Sequence, residues 1–355
     1  MALHVLDEAN RCLGCKKPLC QQGCPIHTNI PEVIRLLKAN QMDEAGRMLF
    51  ENNPLTTVCA LVCNHENQCE GHCVRNRMPS HDPVHFSIIE DYISTTYANK
   101  MTAGPAPKNG MKAAVVGSGP AGLTIAVLLA RWGYDVTIFD ARDKIGGVMR
   151  YGIPAFRLPK DVVAAELDGL RQNNVEFRTN WVGGRTVSVQ QLFDEGYKAV
   201  FIGVGAGLPQ FLGIPGENLI GVFSANEYLT RVNLGRAYDF PNFDTPTYPG
   251  KHVTVFGAGN VAMDAARTAL RLGAESSTII YRRSRAEMPA RHEEIEHAEE
   301  EGVKLFELVG PLHFNASESG VLKSVTLQRM ALGEPDASGR RRPMPIEGEV
   351  FEHET

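Results

Sequence analysis

Eight cysteines carry the first chemical signal, and all of them lie between Cys12 and Cys73. They form two runs, Cys12-x2-Cys15-x4-Cys20-x3-Cys24-Pro25 and Cys59-x3-Cys63-x5-Cys69-x3-Cys73. A disulfide scaffold would be small and cysteine-dense throughout, whereas the long remainder of this chain needs no staples. Thiolates are soft, charged donors, and a close group of them holds zinc or an iron–sulfur core. Structural zinc takes two separated C-x2-C pairs, and only one such pair occurs here. In the cluster-binding run C-x2-C-x2-C-x3-C-P the fourth cysteine serves a second cluster, and the first run matches it with one longer gap. Two [4Fe–4S] clusters are therefore expected, with zinc and free structural thiols as the alternatives. His65, His72, His81 and His85 crowd the same stretch, but eight cysteines nearly fill two clusters without them.

Two glycine-rich turns carry the second signal. Ala113–Val116 reads as a buried strand, and Gly117-Ser-Gly119-Pro120-Ala121-Gly122 follows at once. A helix to Trp132 and a strand Asp135–Phe139, ending at Asp140, complete a βαβ unit. Its glycines allow the tight turn and let a pyrophosphate approach the helix N-terminus, where N–H groups and the dipole hold the anion. Asp140 falls 23 residues after Gly117, where a carboxylate accepts from a ribose hydroxyl. Gly146 and Gly147 fit a loop lying close over that cofactor.

A second unit runs from the strand His252–Phe256 through Gly257-Ala258-Gly259-Asn260-Val261-Ala262 to a helix and a strand ending at Tyr281. Ala262 takes the third glycine's place, which the fingerprint permits. Where an acid would sit, this unit has Arg282 and Arg283, and guanidinium groups bind a 2′-phosphate bidentately. The expected nucleotide is NADP(H); the alternative is a solvated basic loop. NADPH delivers two electrons as hydride, whereas an iron–sulfur cluster takes one at a time. A flavin does both, so the first unit is expected to hold FAD.

These residues need elements that hold them. Residues 1–105 read as a helical domain with a helix opening at Pro31, capped by Thr28 or Asn29, and others over Asp43–Phe50 and Val84–Tyr97. A Pro/Gly linker covers Met101–Gly110. Two Rossmann-like domains follow, at 110–215 and 216–355. Glu293–Glu301 reads as a solvated helix face and Arg340–Arg342 as a surface loop. Hydrophobic residues make up 43% of the 355, enough for a sizeable core, and a net charge of −5 gives no basic field for nucleic acid or anionic membrane. The longest apolar stretch, near Ala121–Ala130, is too short to span a bilayer, and the first residues lack the pattern of a signal peptide. A cytoplasmic protein is expected. No Ser/His/Asp arrangement or HExxH occurs, and hydride transfer depends on positioning, so no catalytic side chain is expected.

With these residues assembled, the chain resembles the small (beta) subunit of glutamate synthase. Its relatives are the N-terminal half of dihydropyrimidine dehydrogenase and the large subunit of NADH-dependent ferredoxin–NADP oxidoreductase. The resemblance rests on Arg11–Cys15, Cys24-Pro25, Cys59–Cys63, Cys69–Cys73, Gly117–Gly122, Gly152–Pro159, Ala262-Met-Asp264 and Tyr281–Ser284. It implies an α/β chain with an all-helical iron–sulfur domain followed by two Rossmann-like domains, the NADP domain inserted in the FAD domain. It implies that NADPH reduces FAD, that electrons pass through two [4Fe–4S] clusters, and that a large catalytic subunit or ferredoxin-type partner exchanges them.

The resemblance also places Cys12, Cys15, Cys20 and Cys73 on one cluster, and Cys24, Cys63, Cys69 and Glu90 on the other. Cys59 is then a buried free thiol, with Cys59 in place of Glu90 as the alternative. The expected FAD contacts are Gly117, Gly119, Pro120, Ala121, Gly122, Asp140, Gly146, Gly147, Val148 and Arg157. Those of NADP(H) are Gly257, Ala258, Gly259, Asn260, Val261, Arg282 and Arg283. One departure stands out. Family members continue past the position of Thr355 to a late Gly-Gly-Asp turn over the flavin, and no Gly-Gly-Asp occurs here. The FAD domain is therefore expected to be incomplete, with weakly held FAD and uncovered strand edges. Rival readings are an electron-bifurcating or pyrimidine-reducing version of the same module, and a non-catalytic iron–sulfur scaffold.

Overall fold

The computed structural model describes residues 2–97, 106–172, 175–247 and 250–355. The chain divides into two compact units, Met1–Arg150 with Ala155–Gly205, and Tyr151–Pro154 with Ala206–Thr355. The second division falls after Gly205, ten residues before the boundary expected at 215/216. Much of the expected linker, residues 101–105, lies outside the described residues.

The first unit opens with six helices: α1 (Ala2–Asn10), α2 (Leu19–Gly23), α3 (Ile30–Lys38), α4 (Met42–Asn52), α5 (Thr56–Val62) and α6 (Phe86–Tyr97). In α3, Val33, Ile34, Leu36 and Leu37 fall on one face at helical spacing, and all are buried. Asn29 takes the cap position without a side-chain bond, because Pro31 in the first turn already removes one orphan donor. Thr28 is engaged elsewhere, accepting from Asn52 Nδ2 at 2.9 Å. The core of this layer joins Val5 and Ala9 to Leu49, Ile89 and Ile93, with Cys12, Cys20 and Cys73 packed against it. The helices α1, α2 and α5 were not expected; α2 and α5 are short and each carries a cysteine.

The same unit continues as β1 (Lys112–Val116), α7 (Pro120–Arg131), β2 (Asp135–Phe139), α8 (Val148–Tyr151), α9 (Lys160–Gln172), β3 (Val175–Arg178), α10 (Val189–Asp194) and β4 (Tyr197–Ile202). The strands form a parallel sheet in the order β3-β2-β1-β4. Strand β1 lies inside the sheet with Ala113, Ala114 and Val115 buried, so its glycine-rich turn leaves from the middle of the sheet. Arg131 at the end of α7 donates to the carbonyls of Phe50 (2.9 Å) and Glu51 (3.2 Å), closing the C-terminal turn of α4. Its guanidinium also lies 4.5 Å from the Phe50 ring centre, so one side chain ties the helical layer to the α/β layer.

The second unit holds α11 (Ala225–Asn233), β5 (His252–Phe256), α12 (Asn260–Arg271), β6 (Ser276–Tyr281), α13 (His292–Glu300), β7 (Lys304–Glu307), β8 (Val309–Ala316), β9 (Leu322–Pro335) and β10 (Arg341–Glu354). The first three strands form a parallel sheet in the order β5-β6-β7, and the last three an antiparallel sheet in the order β10-β9-β8. Val350–Glu354 forms the end of β10 and pairs with β9. Glu293–Glu301 is only partly a solvated face: Arg267 reaches Glu294 and Glu301, each at 2.7 Å, and pins α13 to α12. Among the described residues no helix is long and apolar enough to cross a membrane.

Two glycines of the first turn have opposite tolerances. A Cβ on Gly122 would lie 1.9 Å from the Gly117 carbonyl oxygen, whereas one on Gly119 meets nothing within 4 Å. Gly122→Ala is expected to cost about 3 kcal/mol in urea unfolding, because neither backbone segment can move away. Gly119→Ala should unfold within about 1 kcal/mol of the parent yet bind FAD more weakly than the parent in a fluorescence titration, its methyl occupying the space above the helix N-terminus. Equal midpoints for both variants would refute the packing argument.

Candidate cofactor sites

The cysteines separate into two sets, and their mutual effects show which neighbours each has. Burial pushes the Cys20 thiol up to about 11, and Cys73, Cys12 and Cys15 add to the rise. Those four sulfurs line one pocket with Leu13, Leu19, Ile34, Val84 and Phe86, and Cys69 borders it as well. Cys69 is itself raised well above the usual thiol range, first by burial and then by Glu70, Glu90, Cys63 and Cys24. Burial likewise pushes Cys59 up to about 12, with Glu90, Cys63 and Cys24 contributing. One set is thus Cys12, Cys15, Cys20 and Cys73, and the other gathers Cys24, Cys59, Cys63, Cys69 and Glu90.

The donor chemistry fits iron–sulfur cores. Buried thiols crowded together resist ionising unless cationic iron lies among them. Among the described residues, no three His, Cys, Asp or Glu side chains are grouped to hold a single metal ion. Sets of soft thiolate donors suit a polynuclear iron–sulfur core. In the second set Glu90 is buried, and its Oε1 accepts from Thr56 Oγ1 at 2.7 Å. Cys59 accepts from Asn53 Nδ2 at 3.1 Å, so a protein amide already engages its sulfur.

The first glycine-rich turn is held by a residue that motif reading passed over. Ser118, fully buried, donates its N–H (2.8 Å) and its hydroxyl to Asp140 Oδ2. The same hydroxyl accepts from the Gly146 N–H at 2.9 Å. Asp140 Oδ1 accepts from the Arg142 N–H at 2.9 Å. One hydroxyl therefore locks the turn, the end of β2 and the Gly146-Gly147 loop together. A Cβ on Gly147 would lie 2.5 Å from Gly119 Cα, so the loop lies directly against the turn. Pro120 and Ala121 are exposed in the first turn of α7, Val148 is exposed at the start of α8, and Arg157 is half-buried before α9.

The second turn repeats the plan. Gly257 adopts φ +116, and a Cβ on Gly259 meets nothing within 4 Å, which leaves open space at the N-terminus of α12. Asn260 Oδ1 accepts from the Arg291 N–H at 3.0 Å, the Ala258 carbonyl accepts from the Ala290 N–H at 3.1 Å, and Val261 is exposed.

The two arginines after β6 part company. Arg282 is exposed. Arg283 is buried, pairs with Asp336 at 2.6 Å and donates to the Arg341 carbonyl at 2.7 Å, so it anchors the β9–β10 hairpin. Arg341, expected in a surface loop, bonds Glu287 at 2.5 Å. With Arg283 held inside by Asp336 and the Arg341 carbonyl and Arg282 exposed, the pair cannot act as one fork.

Residues 2–102 match the family model "Dihydropyrimidine dehydrogenase domain II, 4Fe-4S cluster", and residues 111–330 match "Pyridine nucleotide-disulphide oxidoreductase". The glutamate synthase [NADPH] small chain of Azospirillum brasilense is 35% identical over 351 residues, covering 97% of this chain and 72% of that one. The chain belongs to the glutamate synthase small-chain family. Another relative, the oxidoreductase AegA of Escherichia coli K12, is 37% identical over 97% of this chain, but this chain spans only 53% of it. Mycobacterium tuberculosis FprA in complex with NADPH shares the fold, with TM-score 0.58 and 21% identity over 70% of this chain and 69% of that one. This family member is an electron-transfer oxidoreductase with a 4Fe–4S domain and an FAD- and NADP-dependent α/β part.

Splitting the arginine pair tests their separate roles. Arg282→Ala should weaken NADPH by about 10- to 100-fold relative to NADH, the size of one lost charge-assisted contact. Arg283→Ala should instead lower the melting temperature by several degrees in the absence of nucleotide, because it leaves Asp336 and the hairpin unanchored. Stability loss with Arg282→Ala and none with Arg283→Ala would reverse the assignment.

Proposed function

We propose that this chain takes hydride from NADPH onto FAD and passes single electrons through two [4Fe–4S] clusters to a partner. The observation that carries the reading is the division of the sulfurs. Cys24 groups with Cys63 and Cys69 across the sequence, and Cys73 groups with Cys12, Cys15 and Cys20, as a Cys-Pro crossover requires. Cys12, Cys15, Cys20 and Cys73 hold one cluster, and Cys24, Cys63, Cys69 and Glu90 the other. Cys59 remains a thiol bonded to Asn53.

The remaining residues bind and orient. N–H groups at the start of α7 and the open face of Gly119 receive the FAD pyrophosphate, with Pro120 and Ala121 flanking it. Asp140 Oδ1 has already accepted one N–H, and a carboxylate oxygen accepts two, so its second lone pair faces a ribose hydroxyl. The Gly146-Gly147 loop, with Val148 and Arg157, covers the cofactor's inner part. The start of α12, from Gly257 to Val261, receives the NADPH pyrophosphate, and Arg282 its 2′-phosphate. FAD, when bound, converts a two-electron donor into one-electron steps. The acceptor lies outside this module. Its relatives include a chain named as the small chain of an enzyme and one nearly twice its length.

Anaerobic addition of NADPH to the FAD-loaded chain should bleach the flavin band and then raise the electron paramagnetic resonance of reduced clusters. NADH should do so far less. Bleaching with no cluster signal, at a partner-free potential where dithionite gives one, would sink the proposed electron route.

A further inference from the structure

His65 is the one deeply buried histidine among the described residues of the helical domain, 2% exposed, and neither ring nitrogen has a hydrogen-bond partner. Its backbone is fixed: the His65 carbonyl accepts the N–H groups of Gln68 (3.1 Å), Glu70 (3.0 Å) and Gly71 (3.2 Å), holding the turn between Cys63 and Cys69. The ring faces Glu90, with Nε2 3.9 Å from Oε2, too far for a hydrogen bond. Glu90 Oε1 is meanwhile taken by Thr56. An imidazole carries an N–H in either tautomer, and a buried N–H left unmade bears its whole desolvation penalty. An apolar side chain would fit this core at less cost, so the donor has a use.

We propose that His65 donates its ring N–H to the cluster held by Cys24, Cys63, Cys69 and Glu90, at a cluster sulfur or at the Glu90 carboxylate, and thereby raises that cluster's reduction potential. This rests on the reading that the second sulfur set holds a [4Fe–4S] cluster. Reduction adds negative charge to the core, and a donor aimed at a sulfur stabilises the charge gained. A donor aimed at Glu90 weakens that carboxylate's push on its iron, which acts in the same direction. Among the described residues no histidine lines the pocket of the first sulfur set, whose walls include Leu13, Leu19, Ile34, Val84, Phe86 and Arg75. The two clusters are therefore unequal, and His65 is one source of the inequality.

The test is iron determination and a potentiometric titration, followed by electron paramagnetic resonance, on the anaerobic full chain. His65→Phe should keep its iron, shift one cluster's midpoint to lower potential and leave the other in place. His65→Asn, a smaller side chain with an N–H, should recover part of the shift and covers the case in which the phenylalanine does not fit. Unmoved midpoints in both variants would overturn the proposal. Loss of half the iron in both would also overturn it, making His65 a ligand rather than a donor. The underlying ligand reading fails in a separate way: Glu90→Ala then leaves iron and both signals unchanged, whatever His65→Phe does.

Discussion

Buried thiols cannot share a pocket as anions unless a cation lies among them, and the helical half of this protein is arranged around that constraint. Burial is the largest cause raising Cys20, Cys59 and Cys69 above the ordinary thiol range, and the neighbouring thiols and carboxylates add to the rise. The helices α3, α4 and α6 supply the apolar wall, with Cys12, Cys20 and Cys73 set against it.

The α/β half obeys a second constraint, close approach. The Ser118 hydroxyl is the meeting point of three segments distant in sequence, bonding Asp140 and receiving the Gly146 N–H. Gly122 and Gly147 allow backbone against backbone where any side chain would collide. The start of α7 is thereby held at the centre of a parallel sheet, which is where an open α/β sheet places its ligand. Arg131 then ties that sheet to the cluster layer through the carbonyls that end α4.

Much of this was legible in the sequence. Both βαβ units, their strands and the helices α3, α4 and α6 could be placed from periodicity and glycine position, because those signals are local. The partition of the cysteines was an implication of the family resemblance, with Cys24-Pro25 as its one local sign. The structure changed what long-range contact decides. Arg283 looks like a phosphate ligand beside Arg282, but its partner Asp336 lies 53 positions away and removes it from solvent. Glu294 sits in a run of acids that reads as solvated, and only packing against Arg267 shows otherwise. Ser118 occupies the free position of a glycine motif, where type carries little weight until Asp140 and Gly146 are seen to converge on it. The antiparallel sheet β8–β10 was missed because its strands mix charged and apolar residues with weak alternation, although Val325 and Leu327 are fully buried at a spacing of two.

The central claim is that the two cysteine runs build two four-iron sites that differ in one ligand, a carboxylate replacing a sulfur in the second. Mössbauer spectroscopy of the anaerobic chain reconstituted with iron-57 reads this directly. The account predicts two cubane clusters, one with four sulfur-ligated irons and one with a single iron of distinct, oxygen-ligated character. Two clusters with eight indistinguishable sulfur-ligated irons, or a single cluster per chain, would contradict it.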